Sequence, residues 1–296
     1  MFKRIGLFLL MNIAIILMLN VILMIVSVVF GVDFSQIAGA NQDYGALMVF
    51  AVVIGFSGSL MSLFMSKALV KRSMGVQTID VDRPRNDAEA WLVKTVARLA
   101  KIKGVAMPEV GIYHGEANAF ATGPSKNNSL VAVSDGLLSS MNREEVEAVL
   151  AHEMSHVDNG DMVTMTLLQG VINTFVIFLS RVIGNIVDRG ILRNESDGPG
   201  MGYFLTSLVL DLVLGFLGGM LLAAYSRRRE FAADRGAAEA LGSAVPMINA
   251  LARLGGMAPN ELPAQVKGFG ISGGMGSLLA THPTIEERIK ALRALQ

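Results

Sequence analysis

The residues with the clearest chemical potential are two histidines four positions apart, His152 and His156, with Glu153 directly after the first. On an α-helix, positions i and i+4 lie on one face, a turn apart. Both imidazoles can therefore reach one metal ion, with the carboxylate of Glu153 beside it. A His-Glu-x-x-His pattern on a helix is typical of a zinc hydrolase. The chain has four histidines and no cysteine, so a transition-metal site must use imidazole and carboxylate ligands.

A catalytic zinc site needs a third protein ligand besides the two histidines. In the extended metzincin pattern the third ligand is a histidine six residues after the second motif histidine, with a glycine three residues before it. This sequence has Met162 and Asn159 at these two positions. The alternative is a glutamate on a second helix. Glu230 is the best candidate, because the small residues that follow it allow its helix to approach closely. The competing carboxylates Asp158 and Asp161 are too close in sequence to the motif to fold back easily.

This set of residues predicts a hydrolytic mechanism. Zinc would polarise the scissile carbonyl and lower the pKa of its water to about 7. Glu153 would take a proton from that water and pass it to the leaving amine. Asp234, one turn beyond Glu230, is a candidate to accept the outer N–H of a ligand histidine. The alternative for Asp234 is an ion pair with Arg235 or Arg228.

The composition indicates a membrane protein. Of the 296 residues, 52% are hydrophobic and 17% are charged, and the mean hydropathy is +0.50. Soluble proteins contain about 25% charged residues. The apolar excess lies in long runs, so the lipid bilayer is an expected partner. The net charge is zero, which argues against nucleic acid as a partner.

The apolar runs predict four membrane helices, at about 6–30, 46–65, 162–187 and 203–225. They divide the chain into a first hairpin, a polar part, a second hairpin and a second polar part, at 1–72, 73–161, 162–225 and 226–296. Lysine and arginine flank the outer ends of the first hairpin and are absent from its loop, so both polar parts are expected in the cytoplasm. Arg189 and Arg193 in the second loop leave open a hairpin that only partly crosses the membrane.

Two charged residues lie within the third and fourth predicted spans, Arg181 and Asp211. Charges inside spans are costly and are usually paired. Their distances from the span ends place them at similar depth, so we expect a contact across the hairpin. The alternative is that Arg181 extends to the outer surface.

The polar parts predict helices and a small sheet. Helical periodicity covers 87–102, and a capping-box pattern at Asn142 and Glu145 begins the helix that carries the motif. A short terminal helix is expected from Ile285 to Leu295. Strands are expected at 110–114, 115–123 and 130–133.

The motif helix enters the membrane soon after its second histidine, and the helix carrying Glu230 leaves it shortly before that residue. If both spans cross, the two ligand sets lie on the same side and at similar depth.

The motif, the segment Glu230–Asp234, the sequence Asn-Ala-Phe-Ala from Asn118 and the two pairs of spans resemble the M48 family of integral-membrane zinc peptidases. The resemblance implies a mainly α fold (α+β): four membrane helices with a cytoplasmic zincin-like (gluzincin) domain and a small β-sheet. It implies one zinc ion per chain. It also implies an endopeptidase of the bacterial inner membrane that cleaves damaged or misfolded membrane proteins on the cytoplasmic side, as part of the stress response.

The resemblance extends to residues with weaker local signals. It implies that Asn118 binds substrate backbone by strand addition, although an asparagine there also suits a turn. It implies that His282 stabilises the oxyanion; the alternative is a helix-start histidine. Arg288 either braces an acidic residue near the site or is a solvated helix residue. His114 is interpreted as structural, and the glycine-rich stretch 268–276 is either a lid or a loose connection.

Two other functions are compatible with parts of the sequence. One is a zinc hydrolase with a non-peptide substrate, against which the Asn118 strand argues. The other is a membrane scaffold or chaperone-like protein in which the motif is accidental. The pairing of the motif with Glu230 across a membrane hairpin argues against the scaffold. The sequence specifies neither a cleavage preference nor an oligomeric state.

Overall fold

The structure is a computed structural model that describes residues 17–256 and 280–295. Its contacts divide the chain into two compact units. The apolar unit contains the residues up to Met61 together with Thr166–Gly219. The polar unit contains Ser62–Met165 together with the residues from Met220 onward.

Three described helices are long and apolar enough to cross a membrane. They are α2 (Tyr44–Met74), α6 (Asp161–Ile186, continued by a π-helical turn at Val187–Ile191) and α7 (Met201–Leu241). They match the second, third and fourth predicted spans. A shorter apolar helix, α1 (Leu17–Phe30), covers the second half of the first predicted span, whose earlier residues lie outside the described ones.

Helix α7 continues well beyond the predicted end of its span at residue 225. The apolar span and the polar segment that contains Glu230 belong to a single helix of 41 residues. The segment contains no proline and is rich in alanine, so nothing interrupts the backbone hydrogen bonds. The helix ends before Gly242, which adopts a left-handed φ of 70°.

Within the apolar unit, the loop after α1 contacts the loop after α6. The Ala40 N–H donates to the Asp197 carbonyl at 3.4 Å, and the Gly39 N–H donates to Asn185 Oδ1 at 3.4 Å. Gly39 has φ of 104°, and a Cβ atom there would lie 2.6 Å from the Asp197 carbonyl oxygen. Only glycine therefore fits this approach. The two hairpins turn at the same end of the apolar unit.

The predicted contact between Arg181 and Asp211 is confirmed. Arg181 Nη1 lies 2.7 Å from Asp211 Oδ1 and 2.6 Å from Oδ2. Ser180 Oγ also donates to Asp211 Oδ1, at 2.6 Å. The guanidinium therefore pairs across the hairpin and does not extend to the surface.

The polar unit contains a four-stranded sheet in the order β1-β2-β4-β3. The strands are β1 (Gln77–Thr78), β2 (Glu109–Tyr113), β3 (Ala119–Ser125) and β4 (Asn128–Ser134). β2 and β4 are parallel, and the other two pairings are antiparallel. The three predicted strands are confirmed. β1 was not predicted, because two residues are too few for an alternating pattern.

Five further helices complete the polar unit within the described residues. They are α3 (Asp87–Lys103), α4 (Asp135–Ser140), α5 (Arg143–Asn159), α8 (Val245–Leu254) and α9 (Ile285–Arg293). The predicted capping box at the start of α5 is present, since Asn142 and Glu145 each bond the other's backbone N–H. Arg253 of α8 pairs with the buried carboxylate of Glu145 at 2.8 Å. Leu150 and Met154 are fully buried, so α5 is the central helix of the core.

Candidate metal centre and active site

Three side chains converge at one point of the polar unit. Helix α5 places His152 Nε2 and His156 Nε2 3.1 Å apart. Helix α7 brings Glu230, whose Oε1 lies 3.3 Å from His156 Nε2 and whose Oε2 lies 3.6 Å from His152 Nε2. In a tetrahedral zinc site, bonds of about 2.0–2.2 Å separate neighbouring ligand atoms by roughly 3.3–3.6 Å. Two imidazoles and a carboxylate at these distances fit a zinc ion.

Small residues allow α7 to lie close to α5. Ala233 and Ala237 are fully buried. At Gly236, a Cβ atom would lie 2.7 Å from Ser155 Oγ and 3.0 Å from Ser155 Cβ. The Gly236 carbonyl also accepts a hydrogen bond from Lys103 Nζ at 2.8 Å. Any larger residue at position 236 would therefore push Glu230 away from the histidines.

Each histidine of the cluster contacts its own aspartate through Nδ1. His152 Nδ1 lies 2.9 Å from Asp234 Oδ1, and His156 Nδ1 lies 2.7 Å from Asp161 Oδ2. Such contacts set the tautomer and the ring orientation of ligand histidines. The contacts leave both Nε2 atoms directed towards Glu230.

The role of Asp161 does not follow from spacing alone. The sequence disfavours Asp161 as a ligand because it is close to the motif, but the chain reverses at Gly160, whose φ of 66° ends α5. This turn returns the Asp161 side chain to the last turn of α5. The Asn-Gly-Asp sequence from Asn159 is the local signal for the turn.

Two arginines hold these aspartates in place. Arg288 of α9 donates to Asp234 through Nε at 2.8 Å and through Nη2 at 2.6 Å, and its Nη1 lies 3.1 Å from Glu230 Oε2. Arg229 of α7 donates through Nε to Asp161. Asp234 thus contacts both His152 and an arginine, but the arginine is distant in sequence and is not a neighbour on α7.

His282 lies at the open side of the cluster. Its Nδ1 is 3.0 Å from Glu230 Oε2, and its side chain is 66% exposed. His114 lies elsewhere, on the surface, where its Nδ1 is 2.5 Å from Asp135 Oδ2. The glycine-rich stretch 268–276 lies outside the described residues.

The electrostatics of the cluster favour ionised carboxylates. Burial alone would lower the pKa of His156, but Asp161 and Glu230 raise it to about 10. Burial alone would raise the pKa of Glu230, but contacts with His152, His156 and His282 hold it well below its usual range. Ligand histidines must be neutral, so a metal ion that bound here would release protons from the cluster.

Glu153 is next to the cluster and also contacts the sheet. Burial raises its pKa above the usual range for a glutamate. Its carboxylate accepts a hydrogen bond from the backbone N–H of Ala121 on β3. Among the described residues, β3 is an edge strand that pairs only with β4. The backbone of Asn118, just before β3, is bonded in both directions to Ser134 at 2.9 Å, and its side chain is exposed.

Comparisons with known proteins place this cluster in a family. Residues 86–296 match the family model described as Peptidase family M48. The chain belongs to peptidase family M48. The matched range contains the His-Glu-x-x-His motif, the two aspartates that contact its histidines and both arginines. Membership makes the chain a protease, and together with the three apolar helices it implies a membrane metalloprotease.

Relatives at high identity support the same family. A Protease HtpX homolog from Paracidovorax citrulli is 56% identical, and the match covers 99% of each chain. Another from Bordetella pertussis is 52% identical over 98% of each chain. The crystal structure of S. mikatae Ste24p has the same fold, with a TM-score of 0.62 at 17% identity. That match covers 96% of this chain and 64% of the other.

Proposed function

We propose that this M48 peptidase is a membrane-embedded, zinc-dependent endopeptidase with its active centre at His152, His156 and Glu230. The observation that carries the proposal is the convergence of these three ligand atoms within 4.8 Å of one another, beside Glu153 and an edge strand. The three residues would hold one zinc ion per chain. Asp234 and Asp161 would orient the two histidines.

The residues around the cluster have distinct roles in peptide hydrolysis. When bound, zinc supplies Lewis acidity and lowers the pKa of a water to about 7. Glu153, whose pKa is raised by burial, accepts the proton of the attacking water and delivers it to the leaving amine. The exposed ring of His282 is placed to donate a hydrogen bond where negative charge develops on the carbonyl oxygen.

The edge strand provides a place for the substrate backbone. The Ala121 N–H already points away from β4 towards Glu153. In an antiparallel pair outward-facing groups alternate, so Ala119 also directs its N–H and C=O to the free edge. An extended peptide can add here as a further strand, which favours a peptide substrate over a small molecule. The exposed side chain of Asn118 would bind the backbone of that peptide.

The proposed location is the bacterial inner membrane, with the active centre in the cytoplasm. Lys67, Lys71 and Arg72 follow the predicted span within α2, and the first loop contains no lysine or arginine. The contact between the loops at Gly39 and Asp197 favours two hairpins that both cross fully, as residues 1–72 and 162–225. The polar parts 73–161 and 226–296 would then share the cytoplasmic side. We propose damaged or misfolded membrane proteins as substrates, in protein quality control and the stress response.

The test is a Glu153→Gln variant of the full-length protein in detergent, assayed on a model membrane protein with the cleavage sites mapped. We expect the variant to keep about one zinc per chain and to lose cleavage by about 10²–10⁴-fold, the usual contribution of a general base. Glu144→Gln, an exposed residue of the same helix, is the matched control and should leave cleavage unchanged.

Equal cleavage by wild type and Glu153→Gln would contradict the proposed mechanism. A wild-type protein that binds zinc and hydrolyses only non-peptide esters or amides would favour the alternative hydrolase. A protein with no zinc and no hydrolytic activity would favour the scaffold.

A further inference from the structure

A cavity of about 180 Å³ lies beside the proposed active centre, within the polar unit. Glu153 and His156 form one of its walls. The others come from β3, the start of α6 and the middle of α7, through Ala121, Asp161, Met162, Met165, Ser226 and Arg229. The mechanism proposed above does not use this space.

The size of the cavity suits a single side chain. Sites for whole small molecules usually measure about 300–1,000 Å³, which is larger. Two of the lining residues, Met162 and Met165, are unbranched and polarisable. Methionine fills irregular gaps and adapts to apolar groups of different shape. The lining therefore favours apolar side chains and tolerates several of them.

The charges in the wall disfavour ionised side chains. Arg229 and Asp161 are paired with each other, and Asp161 is also bonded to His156. An ammonium group in the cavity would approach the guanidinium of Arg229, and a carboxylate would approach Asp161 and Glu153. In both cases the wall would present like charge as well as opposite charge, so less attraction remains to offset the loss of hydration.

The position of the cavity identifies which substrate residue enters it. Ala121 lines the cavity and also donates its N–H to Glu153. A peptide added along β3 passes Glu153 at the bond to be cut, and its side chains point alternately to the two faces of the strand. The side chain that faces the cavity therefore belongs to a residue adjacent to the scissile bond.

We propose that this cavity binds an uncharged apolar side chain, such as Met or Leu, of a residue adjacent to the scissile bond. The inference rests on the proposed peptidase function and adds a substrate class to it. Side chains of this kind are buried in folded proteins and become accessible in extended, unfolded segments. The cavity would therefore direct cleavage to apolar stretches of unfolded chain.

The test uses quenched fluorescent peptides built on a mapped cleavage site, with full-length protein in detergent. Two series vary, in turn, the residue on each side of the scissile bond among Ala, Leu, Met, Phe, Lys and Glu. We expect one series to show kcat/KM for Leu and Met at least about tenfold above Lys and Glu. Met165→Glu should remove that preference, measured as the ratio of kcat/KM between the Leu and Lys peptides, while zinc content is retained.

The matched control is Thr164→Glu, which introduces the same charge one residue away on the same helix without lining the cavity. It should keep the wild-type preference. If Met165→Glu does not fold, Met165→Ala decides the matter, because the enlarged cavity should shift the preference from Leu towards Phe.

The outcomes separate the two proposals. If zinc-loaded wild type cleaves no peptide or protein, the peptidase function and the cavity assignment both fall. If wild type cleaves well but does not distinguish Leu from Lys on either side, the cavity assignment alone is overturned. The same holds if the Met165 variants keep the wild-type preference.

Discussion

Charged side chains are grouped in both units of the molecule, but the two groups are built differently. In the apolar unit, Arg181 reaches both oxygens of Asp211, and Ser180 donates to one of them. In the polar unit, the oxygens of Glu230 face the Nε2 atoms of two histidines whose Nδ1 atoms are already engaged. The Arg181–Asp211 pair satisfies its own charges and can only stabilise the hairpin. In the polar unit the Nδ1 atoms are already bonded, so the Nε2 atoms and the Glu230 carboxylate remain available to a metal ion. Each group joins two helices, so the difference lies in the residue types: a guanidinium cannot bind a metal ion, whereas neutral imidazoles and a carboxylate can.

Removal of Glu230, the proposed third ligand, should have the largest effect on zinc content and on cleavage. Glu230→Gln replaces an ionised oxygen ligand with a neutral amide, which is a poor zinc ligand. We expect zinc content well below one per chain and a loss of cleavage of at least about 10³-fold, since the site would no longer generate its nucleophile. Metal analysis and cleavage of a model membrane protein measure the two effects.

Glu239→Gln is the matched control, because Glu239 is exposed on the same helix. It should leave zinc content and cleavage unchanged. Full zinc content and full cleavage in the Glu230 variant would show that another residue supplies the third ligand.

Substitution of one aspartate in each unit should separate the two kinds of charge group. Asp161→Asn weakens the acceptor that orients His156, and we expect zinc affinity to fall about 10–100-fold. Asp211→Asn removes the charge partner of Arg181, and we expect a loss of about 1.5–3 kcal/mol in stability with unchanged zinc affinity. Competition with a zinc chelator measures affinity, and thermal unfolding in detergent measures stability. Equal effects of the two variants on zinc affinity would contradict the distinction.

The smallest predicted effect concerns helix packing along α7. Gly236→Ala inserts a methyl group 2.7 Å from Ser155 Oγ, and overpacking of this kind costs about 1–3 kcal/mol. We expect cleavage to fall about tenfold, because Glu230 and Asp234 lie on the same stretch of helix. Gly215→Ala, on the same helix with no described atom within 4 Å, should be neutral.

A double variant, Gly236→Ala with Ser155→Gly, tests the cause of this effect. It removes both Ser155 atoms that the new methyl group would meet and leaves Lys103 Nζ, the end of a flexible side chain, so cleavage should recover. No recovery would show that the loss does not come from the approach of α7 to α5.

Local patterns predicted much of the fold and of the candidate site. The capping box at Asn142 predicted the start of α5, and the i, i+4 spacing of its histidines predicted their shared face. Glu230 was the best candidate for the third ligand because the absence of cysteine, Met162 in place of a histidine, and the small residues after Glu230 narrowed the choice. Each of these inferences depends on residues close together in the chain or on simple exclusion.

Other features depend on where separate elements meet. The bidentate contact of Arg288 with Asp234 joins α9 to α7, and the pairing of Arg229 with Asp161 joins α7 to the start of α6. The cavity at Met165 requires β3, α5, α6 and α7 together.

The sequence by itself thus determined the motif helix, three of the four sheet strands, the apolar helices and the chemistry of the ligand types. Those properties follow from hydrogen-bonding periodicity, hydropathy and residue chemistry, which are local. Only the tertiary structure decided which aspartate faces which histidine and that a cavity adjoins Glu153. Those properties follow from the distance between helices at their crossing, which is set at Gly236 and Ser155 by the space that two small side chains leave.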